Sequence, residues 1–141
     1  MGERTGSCLC GGIEFTVTPG SDKVGACHCN MCRKVAAGPF MTIGCDSDFR
    51  VTTGEDMLGV FVSSDWAERG FCKGCGSPLF WRLRDGSMMQ LSVNSLDDPG
   101  TLTFDHEVFI DHKPDYYSFA QKTHQMTEAE VLAAFAEGKS S

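Results

Sequence analysis

The chain has 141 residues, of which 41% are hydrophobic, and a formal net charge of −7. This length and composition suit a single core, so we expect residues 1–141 to form one domain. The acidic charge disfavours nucleic acid, whose phosphates the protein's field would repel, and no apolar run reaches the ~18 residues of a membrane span. The opening residues lead into no apolar stretch of the signal-peptide type, so we expect a cytoplasmic protein.

Short segments rich in β-branched and aromatic residues predict a mainly β protein, because turn signals such as Pro19-Gly20 separate them. In chain order, the predicted strands are Gly12–Thr18, Phe40–Ile43, Phe49–Thr53, Gly59–Ser63, Ala67–Phe71, Pro78–Leu83, Met88–Val93 and Thr103–Phe109. A short helical turn is predicted over Asn30–Ala37, which contains good helix formers. The density of short strands favours a twisted β sandwich or partial barrel.

A longer helix is predicted near the C-terminal end, over residues 127–138. Thr127 and Glu130 stand three positions apart, as the two members of a capping box do. Gly138 suits the position that follows a helix. The apolar residues on one side of this helix would be Val131, Leu132 and Phe135.

Seven of the eight cysteines fall into three tight clusters. The clusters are Cys8 with Cys10, then Cys27, Cys29 and Cys32, then Cys72 with Cys75. Thiols two or three residues apart can share one metal ion. Disulfides fit less well, because alternate residues of an extended segment lie about 6.5–7 Å apart at Cα, near the limit for an unstrained bridge. The spacing therefore favours metal ligation.

Two of the clusters together predict a closed structural zinc site. Cys72-x-x-Cys75 followed by Gly76 is typical of a zinc knuckle, which supplies two of four thiolates. Cys8 and Cys10 are the simplest source of the other two, since alternate residues of an extended segment face one side. This site would close a loop of about sixty residues and stabilise the fold.

The remaining cluster predicts a catalytic zinc with an open position. Cys27 and Cys29 share one face if extended, and a helical turn brings Cys32 to the same side. Three protein ligands leave a coordination position for substrate or water. The alternatives are a second structural site completed by Cys45 or His28, and an iron–sulfur cluster, although none of the ferredoxin spacings is present.

The three motifs together resemble the glutathione-dependent formaldehyde-activating enzyme family. They are Cys8-Leu9-Cys10-Gly11-Gly12-Ile13-Glu14-Phe15, Cys27-His28-Cys29-Asn30-Met31-Cys32-Arg33-Lys34 and Phe71-Cys72-Lys73-Gly74-Cys75-Gly76-Ser77-Pro78-Leu79. The resemblance covers roughly residues 5–115. It implies a mostly β fold with two zinc ions, related to the fold of the methionine-R-sulfoxide reductases and of a Rab-binding chaperone.

The same resemblance implies which cysteines hold each ion. It assigns the structural zinc to Cys8, Cys10, Cys72 and Cys75, and the catalytic zinc to Cys27, Cys29 and Cys32. One departure lies after the last predicted strand, where family members usually carry an aromatic segment with tryptophan near Lys-Pro. This chain has Lys113-Pro114-Asp115-Tyr116-Tyr117 there.

The resemblance implies a carbon–sulfur lyase that binds glutathione or a similar small thiol at the open zinc. The enzyme would form or cleave the adduct of that thiol with formaldehyde or another small aldehyde. Half of the twelve basic residues lie within or beside the second and third cysteine clusters: Arg33, Lys34, Arg69, Lys73, Arg82 and Arg84. They either offset the anionic zinc sites or bind the carboxylates of glutathione, for which Arg33 is the candidate.

Two other functions are consistent with the sequence. One is a non-catalytic zinc module that binds a protein partner or carries a thiol or metal. The other is a methionine-sulfoxide reductase, which needs a nucleophilic cysteine outside the zinc sites. Cys45 is the only cysteine left for that role.

Overall fold

The computed structural model describes residues 2–45 and 48–137 and is mainly β. The described residues form eleven strands and two α-helices. In these ranges, no helix has the length and apolar character needed to cross a membrane. The chain divides into two compact units, one of residues up to Asp22 with Thr42–Leu102, the other of Lys23–Met41 with the residues from Thr103 onward. The expectation of one domain stays a prediction.

The bounds of the elements confirm the eight predicted strands to within two residues at either end. In chain order, β1 to β11 are Arg4–Ser7, Glu14–Val17, Lys23–Cys27, Phe40–Cys45, Phe49–Thr53, Leu58–Val62, Ala67–Cys72, Pro78–Leu83, Met89–Ser92, Thr103–Val108 and His124–Met126. Helix α1 is Asn30–Ala36 and helix α2 is Glu128–Ala136. Strands β1, β3 and β11 were not predicted, because they are short and lack a run of β-branched or aromatic residues.

The first unit is built from antiparallel pairs. Strands β1, β2 and β5 form one sheet. In a second sheet, the part of β4 from Thr42 onward pairs with β9, and β8, β7 and β6 follow in that order. Its largest fully buried apolar side chains are Phe15, Phe80, Ile13, Ile43, Leu79 and Leu91. The β1–β2 connection carries Cys8 and Cys10, while β7 ends at Cys72. Two chain segments far apart in sequence thus supply cysteines to this unit.

The second unit is organised by parallel pairing. Strand β10 pairs in parallel with both β3 and β11, which places Ala26 opposite Glu107 and Cys27 opposite Val108. Strand β3 ends at Cys27, and α1 begins three residues later. The chain turns from strand to helix within the Cys27–Cys32 motif, so that all three of its cysteines lie at this junction.

Helix α2 has the predicted capping box, and its apolar residues differ in exposure. The Thr127 hydroxyl accepts from the Glu130 backbone N–H, and the Glu130 carboxylate accepts from the Thr127 backbone N–H. Val131 is buried, whereas Leu132 is 48% exposed and Phe135 is half-buried. Of the three apolar residues predicted on one side of the helix, Val131 alone is fully buried. Gly138 lies outside the described residues.

Gly54 is a position where the backbone requires glycine. Its φ is +79°, and a Cβ atom there would lie 1.7 Å from the carbonyl oxygen of Gly12. Gly86 has a similar φ of +80°, but a Cβ atom there would meet nothing within 4 Å. The two positions share the same backbone strain and differ only in the steric conflict.

This pair of glycines gives a matched test of the fold. We expect Gly86→Ala to lower the free energy of unfolding by about 1 kcal/mol, from the left-handed backbone alone. Gly54→Ala should lower it by about 2 kcal/mol more, because the Gly12 backbone must move. Urea denaturation of both variants measures the difference. Equal losses of unfolding free energy in the two variants would show that the Gly12 backbone does not lie this close to Gly54.

Candidate metal centres

The first candidate centre joins the β1–β2 connection to the end of β7. One sulfur atom from each of four cysteines lies within 4.8 Å of the other three: Cys8, Cys10, Cys72 and Cys75. The Sγ–Sγ distance is 3.6 Å from Cys8 to Cys10 and 3.8 Å from Cys10 to Cys72. A tetrahedral zinc with Zn–S bonds of about 2.3 Å places its ligand sulfurs about 3.8 Å apart. The donor set and its spacing fit one zinc ion.

Backbone N–H groups point at the sulfur atoms of this four-cysteine cluster. The hydrogen bonds run from Ile13 to Cys8 Sγ at 3.3 Å, from Gly12 to Cys10 Sγ at 3.4 Å and from Gly74 to Cys72 Sγ at 3.3 Å. A thiolate accepts such bonds better than a neutral thiol does. The loops around the cluster are therefore built to hold sulfur in its anionic form.

The pKa values of Cys10 and Cys75 show that the four sulfur atoms repel one another when they are ionised. The Ser77 hydroxyl, 3.2 Å from Cys75 Sγ, is the largest cause that lowers the pKa of Cys75 to about 5. The Gly12 N–H lowers the pKa of Cys10, but the other three sulfurs outweigh it and raise that pKa to about 11. Full ionisation of all four thiols therefore needs a cation among them.

The second candidate centre lies at the β3–α1 junction. The sulfur atoms of Cys27, Cys29 and Cys32 lie within 4.8 Å of one another. The Cys29 side chain caps α1 by accepting from the Cys32 N–H at 3.3 Å. The close sulfurs of Cys29 and then Cys32, together with burial, raise the pKa of Cys27 far above its ordinary value. Three thiolates at this distance fit a divalent cation, which would remove their mutual repulsion.

No fourth His, Cys, Asp or Glu of the described ranges completes this three-cysteine cluster. Cys45 lies elsewhere, 1% exposed, with its thiol 3.7 Å from the Ile43 carbonyl oxygen. That burial also leaves the Cys45 sulfur inaccessible to a methionine-sulfoxide substrate. The His28 side chain binds other partners and is not one of the clustered groups. The geometry therefore does not support a second structural site completed by Cys45 or His28.

His28 forms a buried hydrogen-bonded chain that sequence reasoning missed. Its side chain is fully buried, with Nε2 at 2.7 Å from Glu107 Oε1 and Nδ1 at 2.8 Å from the Tyr117 hydroxyl. Thr123 Oγ1 and Gln125 Nε2 also donate to the Glu107 carboxylate. The spacing analysis considered His28 only as a metal ligand. Glu107, 79 residues away, sits in a strand with no local signal for this contact.

The buried Glu107 carboxylate is ionised at neutral pH. Burial raises its pKa, but the hydrogen bonds from Thr123, His28 and Gln125 together outweigh burial and leave the pKa below its ordinary value. Glu107 is 2% exposed, so its charge is stabilised by these donors and not by water. Loss of any one of these donors would therefore leave the Glu107 charge less stabilised.

The six basic residues that lie near the second and third cysteine clusters in sequence have different surroundings in the structure. Arg33 Nε donates to the His28 carbonyl oxygen at 3.0 Å, beside the three-cysteine cluster, and Lys34 is exposed on the same helix. The others belong to the first unit: Arg69 is buried, Lys73 binds the Asp56 carbonyl, Arg82 pairs with Glu68 and Arg84 binds the Asp65 carbonyl. Arg33 and Lys34 are the two that α1 places next to the three-cysteine cluster.

A model of the glutathione-dependent formaldehyde-activating enzyme family matches residues 3–112, and the chain belongs to that family. An uncharacterised lyase of Schizosaccharomyces pombe is 38% identical over 134 residues, which cover 94% of this chain and 96% of the relative. A Halomonas elongata protein, named provisionally as a glutathione-dependent formaldehyde-activating enzyme, is 32% identical over 83 residues, 53% of each chain. The chain is thus a member of an enzyme family with a relative named as a lyase.

A solved structure shows a similar fold. The crystal structure of a Rhodobacter sphaeroides protein superposes with a TM-score of 0.59 at 24% identity. The match covers 71% of this chain and 98% of that one. At this identity the likeness extends to the fold alone.

The Glu107 network predicts a distinct pH dependence of stability. A carboxyl group with a lowered folded-state pKa stabilises the fold above its unfolded pKa of about 4.5, and this contribution is lost as pH falls through the folded-state value. We expect Glu107→Gln to lose about 2 kcal/mol of unfolding free energy at pH 7 and a smaller amount at pH 3.5. Urea denaturation at both pH values measures this.

Taking the difference between Glu107→Gln and wild type at each pH removes effects that the two proteins share, such as release of metal in acid. Glu14→Gln, which changes an exposed carboxylate of β2, is the matched control and should differ from wild type by less than about 0.5 kcal/mol at both pH values. A Glu107→Gln deficit that stays constant between pH 7 and pH 3.5 would contradict an ionised Glu107.

Proposed function

We propose that this protein is a carbon–sulfur lyase of the glutathione-dependent formaldehyde-activating type. It binds glutathione, or a similar small thiol, at the three-cysteine cluster and forms or cleaves the adduct of that thiol with formaldehyde or another small aldehyde. The observation that carries the proposal is the unequal pair of sulfur clusters, one with four cysteines and one with three, in a chain of this enzyme family.

Two zinc ions are part of the proposal. Cys8, Cys10, Cys72 and Cys75 would hold a structural zinc, around which a twisted β sandwich of the type shared with methionine-R-sulfoxide reductases is built. Cys27, Cys29 and Cys32 would hold a catalytic zinc. A zinc ion bound there would stabilise negative charge on the sulfur of an entering thiol.

The chain's own residues orient the thiol. Arg33 is held by its bond to the His28 carbonyl, so its guanidinium is fixed beside the cluster with further N–H donors suited to a carboxylate. Glutathione carries two carboxylates, which a protein of net charge −7 would otherwise repel. Arg33 and the exposed Lys34 supply the local positive charge that this ligand needs.

The reaction places a small demand on the protein. The sulfur adds to the carbonyl carbon, a carbon–sulfur bond forms, and the carbonyl oxygen takes up the thiol proton to become a hydroxyl. Cleavage runs the same steps in reverse. Because the addition already proceeds in water, holding thiol and aldehyde together in one site is the main contribution. The cytoplasmic location expected from the sequence stays a prediction.

The two clusters should differ in what they contribute to stability. Cys75→Ser removes a ligand that joins segments about sixty residues apart, so it should unfold the protein or lower its melting temperature by more than about 10 °C. Cys29→Ser should leave a folded protein that holds one zinc per chain. Thermal melts and metal analysis of both variants test this. Equal destabilisation by the two would mean that both clusters are structural.

Glutathione binding tests the functional proposal directly. Calorimetry on the zinc-loaded protein at neutral pH should show binding that weakens about tenfold in Arg33→Ala, where a charged hydrogen bond is lost. Binding should vanish in Cys29→Ser. Arg84→Ala removes the same charge from the first unit and should bind as wild type does.

S-methylglutathione separates the possible binding modes. It should bind much more weakly than glutathione, because its sulfur cannot become a thiolate. Equal binding of the two would contradict direct participation of the sulfur. If no small thiol binds to the zinc-loaded wild type, the enzyme proposal fails, and a non-catalytic zinc module that binds a protein partner becomes the better account.

A further inference from the structure

Strand β6 forms an open edge of the second sheet in the first unit. It is the last strand in the order of that sheet, so β7 is its only partner among the described strands. Nine large hydrophobic side chains are exposed in the part of the chain that the structure describes. Four of them belong to β6 or to the connection that follows it: Val60, Phe61, Val62 and Trp66. Such a concentration of exposed apolar surface is typical of an interaction site.

Strand β6 also lacks the features that protect the other sheet edges. Leu96 covers part of the outer edge of β1 through its bridge to Gly6, β5 carries the exposed Arg50, and β11 has only three residues. Charge, proline, a bulge or short length normally keeps an edge strand from pairing with another chain. Five residues form β6, none of them is charged or proline, and its pairing with β7 has no irregularity. The edge is therefore open to a further strand.

The ladder between β6 and β7 shows which backbone groups of β6 point outward. Near its two ends, the Ser63 N–H donates to the Ala67 carbonyl oxygen at 3.2 Å, and the Lys73 N–H donates to the Met57 carbonyl oxygen at 2.9 Å. Bonded residues alternate along an antiparallel ladder, so the odd-numbered residues of β6 bond to β7. The even-numbered residues therefore direct their N–H and carbonyl groups away from the sheet.

These outward groups match those of a second β6 strand. The Leu58 N–H is used within the chain, by the Glu55 carbonyl oxygen, which leaves the Leu58 carbonyl and the groups of Val60 and Val62. Two copies of β6 placed antiparallel about a twofold axis set Val60 opposite Val60, and Val62 opposite Leu58. Each Val60 N–H then donates to the other Val60 carbonyl, and each Val62 N–H donates to Leu58 of the other copy.

The side chains fit the same register. Gly59 of one copy lies opposite Phe61 of the other, in a pair without hydrogen bonds, where side chains come closest. Gly59 has no side chain, and the Phe71 ring covers it: a Cβ atom at Gly59 would lie 2.4 Å from Phe71 Cζ. The Phe61 ring of the second copy would therefore lie beside Phe71, and aromatic pairs of this kind stabilise a sheet. Phe61, which is 63% exposed, would thereby gain an apolar partner.

Charge also favours a second copy at this edge. At a net charge of −7, two identical chains repel each other through their overall fields. Residues 57–64, in contrast, contain no charged side chain. Beside them on β7, Glu68 lies opposite Val62 but forms an ion pair with Arg82 at 2.7 Å. Two copies can therefore approach along β6 with little local repulsion.

We propose that this protein forms a symmetric dimer through β6, in which the two β6 strands pair antiparallel about a twofold axis at Val60. The inference concerns assembly and does not depend on the proposed function. The occupant of the edge is a second copy and not an extended segment of another protein, because each copy supplies both the protruding Phe61 and the space at Gly59.

Light scattering after size-exclusion chromatography tests the dimer in the zinc-loaded full chain. Wild type should approach twice the 15.3 kDa of one chain as the concentration rises. Val60→Lys and Val60→Glu each place like charges opposite each other across the axis, so each should raise the dimer Kd at least about tenfold. An equimolar mixture of the two variants places opposite charges there and should return the Kd to within about threefold of wild type.

Two further variants are the controls. Val60→Thr keeps an uncharged β-branched side chain, and Leu132→Lys adds a positive charge on an exposed residue of α2. Both should dimerise as wild type does. A wild type that stays monomeric at every concentration would overturn the proposal and leave the edge to an extended segment of another protein. A dimer that persists in Val60→Lys, or a mixture that does not restore it, would overturn the pairing at Val60.

Amide exchange in the wild type keeps the proposal testable should the Val60 variants fail to fold. In the dimer, the amide protons of Val60 and Val62 bond to the second copy. NMR should therefore show exchange at these two residues that slows at least about tenfold as the protein concentration rises. The Leu58 amide, which bonds to the Glu55 carbonyl oxygen within the chain, is the internal control and should change much less. Exchange at Val60 that is the same at all concentrations would contradict the dimer.

Discussion

Crowding of cysteine sulfur atoms is the constraint on which both candidate centres depend. In each cluster the sulfurs lie within 4.8 Å of one another, and their mutual repulsion raises the pKa of Cys10 and of Cys27. The four-cysteine cluster offsets part of that repulsion with backbone N–H groups and the Ser77 hydroxyl. The three-cysteine cluster has one ligand fewer, which is the position that our proposal gives to a substrate thiol.

The parallel pairing of β3 with β10 explains how the second centre is supported. Its register sets Val108 opposite Cys27, and the His28 backbone N–H continues the pairing by donating to the Val108 carbonyl at 3.2 Å. Glu107 is thereby brought next to the His28 side chain, and through it to Tyr117. A change in Glu107 would therefore act on the residue between Cys27 and Cys29 without altering any cysteine.

Residue spacing predicted the parts of this molecule that are local in sequence. The cysteine pairs and the Thr127 capping box were visible because two to four residues determine each of them. Strand β11 was not, since its polar residues pair only because β10 is already in place. The His28–Glu107 contact joins residues 79 apart and has no local signature. Leu132 belongs to the predicted apolar side of α2 but is 48% exposed, and spacing alone does not show which residues of that side are buried.

X-ray absorption at the zinc edge tests the central claim most directly, because it counts the sulfur ligands of zinc in the purified protein. Seven cysteine sulfurs shared between two ions give an average of about 3.5 per zinc, which should rise to about 4 when glutathione is added. S-methylglutathione should leave the average unchanged. An average of about 4 before any thiol is added, or no change with glutathione, would contradict an open three-cysteine centre that receives the substrate sulfur.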